Sequence, residues 1–286
     1  GGGGGNDNVG ISQAIEAQDI AQSGWNYTSS SSNITLSFWV KASIAQTMYA
    51  RLNAEDTSSS NARAFSFAFS ATTSWTKITK TIPGNSTLVF NNDTGVGLAL
   101  YIIPFYGTSY TTSGHTNDAW IVDSGSDQVT DMATTWFSGN DATLEVTGVQ
   151  LEVGSQATAF EHRTFGDELA LCQRYCEVIT HEQAGQRIAT GQSEGTSNSE
   201  NYYQTKQVMR AIPTFTYSGS ETRRIYERGG VVPDVSACIV EYSSTGFVLF
   251  EVTTSSSDLT NGNANVLYFN GSPASPPAKM ILSAEL

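Results

Sequence analysis

Charge is sparse in this chain, and cysteine, histidine and proline are sparser still. Of 286 residues, 14% are Asp, Glu, Lys or Arg, and only 14 are basic against 27 acidic, which leaves a net charge of −13. A protein that tracks phosphates needs a positive patch; no basic run is present, so nucleic acid is excluded as a partner. The same balance disfavours anionic membrane surfaces. No apolar run approaches the ~18 residues of a membrane span. The longest, over residues 96–106, is broken by Gly97 and Pro104, so no membrane insertion is expected. The cysteines Cys172, Cys176 and Cys238 are odd in number and irregular in spacing, which is not a disulfide framework. A zinc site built from them and His181 would rest on a Cys-x-x-x-Cys spacing that carries little specificity on a helix. Buried reduced thiols are the expectation, with no metal and no cofactor. No secretory signal is visible, and the chain opens on Gly1 without an initiator Met, so it reads as processed or as a fragment. The motifs G-x-S-x-G and H-E-x-x-H and a phosphate-binding loop are missing, so the chain is not expected to be an enzyme.

What is present is a globular composition, 39% hydrophobic and 10% aromatic, whose polar share comes from Ser, Thr, Asn, Gln and Gly. That mixture suits β-sheets with many turns. Residues 1–10 read as a flexible linker headed by five glycines. Ile11, Ala14, Ile15 and Gln18 recur at helical spacing, which predicts a short helix or turn over residues 11–20. From Asn33 the pattern turns β. Ile34, Leu36, Phe38 and Val40 alternate with Thr35, Ser37, Trp39 and Lys41, and Phe65, Phe67 and Phe69 alternate with small residues. Further strands are expected over 48–52, 75–82 and 142–153, and a strand buried on both faces over 95–103. In the 142–153 strand the apolar parity changes at Gly148, which predicts a β-bulge there. After residue 180 strands are expected over 202–209, 214–217, 237–242, 246–252 and 265–269. The fold class is therefore all-β: an antiparallel β-sandwich over residues 11–160, a helical joint over 161–180, and a smaller β domain over 181–286.

A polar stretch over residues 107–131 is too long for an idle connection in a compact domain. Sugar binding needs an exposed aromatic face and groups that bond hydroxyls. Tyr106, Tyr110, Asn117, Asp118 and Trp120 supply that chemistry, and Trp39 joins them because its strand phase puts it on the polar face. The plainer reading of each aromatic is core or loop packing. Asp118, Asp123, Asp127 and Asp131 could supply a carboxylate pair for glycoside hydrolysis, but solvated loop residues or oxygen ligands for calcium are the plainer reading. His162, between Glu161 and Arg163, reads as part of a salt-bridge cluster at the domain boundary.

At the joint, Thr164 with Asp167 three residues on forms a weak capping pattern for a helix. Leu169, Cys172, Cys176 and Ile179 then form one apolar seam, and Leu171, Tyr175 and Val178 a second. A helix apolar on two sides is wedged between partners, either two domains or neighbouring subunits.

The joint sequence QLEVGSQATAFEHRTFGDELALCQRYCEV, residues 150–178, resembles the one found in structural proteins of tailed bacteriophages, where a carbohydrate-binding-like jelly roll ends and a second domain begins. The segments TLSFWVKAS, SWTKITKTIPGN, LEVTGVQLEVGS, QVMRAIPTFTY and the final ILSAEL are looser matches to the same proteins. Two departures are Cys176, where the family carries an aromatic, and Ala159, where it carries Pro. The resemblance implies a virion location, in a tail fibre, tail tip or head fibre. It implies a homotrimer with other phage virion proteins as partners, and attachment to host-surface glycans. On this reading Leu169, Leu171, Cys172, Tyr175, Cys176 and Ile179 lie at the oligomer interface near the three-fold axis. The rival readings are a secreted or prophage-derived carbohydrate-binding module, which would be monomeric, a depolymerase spike, and a ligand-free capsid decoration protein.

Overall fold

The computed structural model describes residues 3–56, 62–227, 229–230 and 232–285. It divides into two compact units at the joint. The first runs to His162 and the second spans Arg163–Glu285. Both are built from antiparallel sheets, so the chain is all-β with short helices.

The first unit contains β1 (Asn8–Glu16), α1 (Ala17–Gln22), β2 (Asn33–Ala42), β3 (Gln46–Ala54), β4 (Arg63–Ala71), β5 (Thr76–Pro83), β6 (Val96–Tyr106), β7 (Trp120–Val122) and β8 (Leu144–Val153). One sheet has the order β1-β6-β3-β4-β7 and the other β5-β2-β8. Their facing side chains share one core, with Leu36, Phe38 and Val40 of β2 against Met48, Leu52, Phe65, Phe69 and Leu98 of the larger sheet. Phe38 meets Phe69 edge to face at 5.3 Å across the layers. Each fully buried Phe or Leu contributes about 1.5–3 kcal/mol by leaving water.

Two expectations fail at the N-terminus. Residues 11–16 form strand, not helix, and Asn8 and Val9 pair with Tyr106 and Phe105 instead of belonging to a linker. The reason lies in β6, whose apolar residues need a second strand partner, so the ladder Ile11↔Ile102 to Ile15↔Leu98 overrides a weak helical pattern. The helix starts only at Ala17, where Gly97 lets the chain approach; a Cβ at Gly97 would lie 2.5 Å from Ala17 Cα. Pro104 is tolerated in β6 because β3 pairs only as far as Ile103 and the β1 ladder slips between Val9 and Ile11.

The bulge is where the sequence placed it. Ser37 pairs with Gln150 and Trp39 with Thr147, leaving Gly148 and Val149 opposite Phe38. Gly148 adopts φ 59°, a left-handed conformation that favours glycine. The alternation in β2 is less simple than expected. Thr35 and Ser37 are buried as well, and Thr35 Oγ1 donates to Gly154 O, just past β8, at 2.8 Å.

The second unit holds α2 (Phe165–Gln173), β9 (Cys176–Thr180), β10 (Arg187–Ser193), β11 (Asn198–Gln204), β12 (Thr214–Ser218), β13 (Arg223–Glu227), β14 (Val235–Ser243), β15 (Phe247–Thr254), β16 (Ala264–Phe269) and β17 (Lys279–Ser283). The sheets β13-β16-β10-β11-β15-β14 and β12-β17-β9 enclose a second core that includes Val248, Phe250, Leu267, Phe269, Met280 and Leu282.

Thr164 caps α2 as predicted, with its Oγ1 accepting from Asp167 N at 3.2 Å. The helix is shorter than its apolar spacing suggested. It ends at Gln173, and Cys176, Val178 and Ile179 belong to β9, which pairs with β17. The two seams therefore do not continue past the helix. Ile179 is 8% exposed within the core of its own unit and is not on the surface that displays Leu169 and Leu171. The physical cause is that β17 needs an edge partner, and five strand residues supply backbone bonds that another helical turn could not.

Candidate functional site

The six sequence-derived candidates do not converge. Apart from β7, which is an edge strand of the larger sheet, residues 107–131 fold over the face of that sheet that points away from the shared core, while Trp39 projects from the smaller sheet on the other side of that core.

Beneath the 107–131 segment lies a polar cluster. Arg51 of β3 is 4% exposed, pairs with Asp123, and donates to Gln128 Oε1 at 3.2 Å. Its neighbour across β4 is Ser66. Ser66 Oγ lies 2.5 Å from His115 Nε2, and His115 Nδ1 lies 2.7 Å from Asp127 Oδ1. Ser66 also donates to Asn117 Oδ1 at 3.1 Å, and Asn117 Nδ2 donates to Thr130. Asn53 Oδ1 and Arg51 Nε, both buried, have no hydrogen-bond partner. The serine–histidine–aspartate line has the contacts of a nucleophile relay. Ser66, however, is 2% exposed in the middle of a strand, with its hydroxyl between two neighbours. The arrangement ties the loop to the sheet.

The other loop candidates are engaged structurally. Asp118 sits at φ 64° with its Oδ1 2.6 Å from Lys80 Nζ. Trp120 pairs with Phe65, packs on its ring at 5.6 Å, and donates Nε1–H to Pro83 O at 2.7 Å, so it faces the core. Tyr106 and Tyr110 form a tilted pair 5.6 Å apart, and burial raises the Tyr106 hydroxyl above its usual range. Asp123 and Asp127 are held by Arg51 and His115, and Asp131 accepts from Thr111 Oγ1. No cluster of His, Cys, Asp or Glu suited to a metal ion occurs among the described residues. His162 packs edge-on against Phe160, and Arg163 pairs with Glu168, in place of the expected salt-bridge cluster.

Trp39 is in a different setting. It is 42% exposed on the outer face of β5-β2-β8, between Lys77 and Thr147. Trp75, also exposed at 43%, flanks the same face, with Lys41 Nζ 5.9 Å from its ring centroid. Lys41 is held at 2.6 Å by Glu145 directly across the ladder. The 155–161 segment borders this face: Gln150 Oε1 accepts from Glu161 N, and Thr158 bonds Glu152, whose carboxyl is thereby held below its usual range. The result is two partly exposed indoles, Trp75 with Lys41 over its ring, beside a Lys–Glu pair, a lysine and a threonine. Sequence reading reached Trp39 through its phase but missed Trp75, which sits one residue before β5, where alternation no longer marks a face.

In the second unit α2 has no buried residue. Phe165 is 82% exposed, Leu169 42% and Leu171 47%. A hollow of about 550 Å³ beside it is lined by Arg163, Asp167, Leu171, Arg174 and Val208.

No protein-family profile matches the chain, and no curated protein matches it. A cryo-EM structure of the T=1 Penaeus vannamei nodavirus aligns with 96% of this chain and 90% of that one, at 8% identity and a TM-score of 0.20, a likeness that carries no argument about fold or function.

Proposed function

We propose that the chain is a structural protein of a tailed-bacteriophage virion, a homotrimeric fibre or spike component whose first unit, a jelly roll of the carbohydrate-binding kind, attaches to host-surface glycans. The similarity of residues 150–178 to phage joints supports the virion part. The observation that carries the attachment part is the pair Trp39 and Trp75, open on one sheet face beside Lys41, Glu145 and Thr147. Flat indoles suit the apolar side of a pyranose ring, and the charged and hydroxyl groups suit its hydroxyls.

Homotrimer formation is supported by α2. A nine-residue helix is unstable alone in water and draws its stability from packing, yet no side chain of this one is fully buried, and Phe165, Leu169 and Leu171 stay exposed. Phe165, Leu169, Leu171 and Cys172 are the residues it offers a partner. The role is display, not catalysis, and the Ser66–His115–Asp127 line serves to pin the 107–131 loop.

Three experiments test this. Light scattering on the full chain is expected to give three times 30.6 kDa, and a monomer would overturn the fibre assembly. Binding to immobilised bacterial surface polysaccharides is expected to fall at least tenfold in a Trp39→Ala, Trp75→Ala variant; unchanged binding would overturn the assignment of this face. Covalent labelling of Ser66 by a fluorophosphonate would overturn the non-catalytic reading.

A further inference from the structure

The outer face of the six-stranded sheet in the second unit carries an ordered array that the attachment reading does not use. Cross-strand pairing places Arg224, Tyr268 and Arg187 in one row across β13, β16 and β10. It places Tyr226, Val266, Thr190 and Tyr202 in the next row, which extends to β11. Side chains on one face of a sheet recur every second residue, so both rows point the same way. Gly185, Arg187, Tyr226, Val266 and Tyr268 line a depression of about 250 Å³.

The charges differ in state. Arg224 is occupied, its Nε 2.5 Å from Asp234 Oδ1. Arg187 is exposed and no carboxylate is paired with it among the described residues. Tyr226 is 49% exposed and Tyr202 43%, and Tyr202 stacks on Phe247 at 5.3 Å. Tyr226 and Tyr202 stand three strand spacings apart, about 14 Å. The depression thus joins a free guanidinium to tyrosine rings, and a second aromatic station follows in line. That second station is flanked by Glu200 and by Gln204, which accepts from Tyr202 Oη at 2.7 Å, so it repels a negative group and favours hydroxyls.

We infer that this face is a second ligand site, for a short oligosaccharide with a carboxylated pyranose at Arg187 and Tyr226 and a neutral pyranose at Tyr202. The guanidinium takes the carboxylate in a two-point hydrogen-bonded pair, and the tyrosine rings take the apolar sugar faces. A ligand with no charge loses the first contact, and a single acidic sugar loses the second station. The site lies in the second unit and stands or falls independently of Trp39.

The test is an NMR titration of the full chain with three probes: a hyaluronan tetrasaccharide, which alternates glucuronate and N-acetylglucosamine, uncharged chitotetraose, and free glucuronate. The hyaluronan fragment is expected to bind at least tenfold tighter than either of the others. Arg187→Gln is expected to reduce it to the level of chitotetraose, and Tyr202→Ala to the level of glucuronate. Both residues are exposed, and circular dichroism checks that the variants fold. Equal affinity for the charged and neutral tetrasaccharides, or an unaffected Arg187→Gln variant, would overturn the inference. So would binding that disappears in the Trp39→Ala, Trp75→Ala variant, because that result places the ligand on the first unit.

Discussion

Tyr203 donates its hydroxyl proton to Glu177 Oε1 at 2.5 Å, joining β11 to β9 through a carboxylate that is 1% exposed. The second oxygen of Glu177 accepts from Lys206 N at 2.9 Å. Burial, together with the neighbouring carboxylate, raises the Tyr203 hydroxyl far above its usual range, so it stays a donor throughout ordinary pH. Tyr203→Phe removes the short bond to Glu177 Oε1 and leaves the Lys206 ammonium at 3.9 Å from it. A loss of about 1–3 kcal/mol is expected, measured by denaturant unfolding, because a buried acceptor loses its donor.

Gly148→Ala tests the bulge that carries Trp39. The new Cβ would meet Trp39 Cδ1 at 3.4 Å in a left-handed backbone. A cost of about 1–2 kcal/mol is expected, with a shift in tryptophan emission as the indole moves. An unchanged midpoint and spectrum would mean that Gly148 is not what fixes the bulge.

Acid should loosen the second unit through Glu221. Backbone N–H groups of Ala274 and Ala278, 3.0 and 2.8 Å away, hold its carboxyl down at about 2 from an ordinary 4.5. The folded value lies below the unfolded one, so its stabilisation is complete above about 4.5 and is lost as pH falls toward 2. Glu221→Gln is expected to flatten the dependence of the unfolding midpoint on pH across that window. A variant that still follows the parent curve there would assign the acid sensitivity to other carboxylates.

The three thiols should separate by reactivity. Cys172 is exposed on α2, whereas burial pushes the Cys238 thiol up to about 11 and also raises Cys176. Because the thiolate is the reactive form, a disulfide reagent at pH 8 is expected to modify Cys172 quickly and the others slowly in the dissociated chain, and all three at one rate in denaturant. Protection of Cys172 in the assembled protein, lifted by dissociation, would map the α2 interface directly.

The parts of the fold legible in the sequence were those where one physical signal dominated. The apolar face of Ile34, Leu36, Phe38 and Val40, the parity change at Gly148 and the Thr164 cap have their expected counterparts, although the opposite face of β2 is buried at Thr35 and Ser37. Strand β11 shows the opposite case. Its first residues, Asn198, Ser199, Glu200 and Asn201, carry turn-like chemistry, and the strand was expected only from Tyr202. In the fold Ser199, Asn201, Asn265 and Ser193 bond one another in a closed buried network, so polar residues occupy a core position. The partners lie up to 72 residues apart, beyond the reach of any local pattern.

The candidate site divides the same way. Trp39 was legible because a strand's period assigns its face from neighbours two residues away. Trp120 was not, because its loop contains the short strand β7, whose pairing with Phe65 turns the indole inward.

By itself the sequence determined an all-β chain in two parts, since composition and period-two patterning act locally along every strand. Only the tertiary structure decided which helical-looking segments became strands, which polar residues were buried, and which aromatics remained open. Those outcomes depend on edge partners and covering loops supplied by residues far away in the chain.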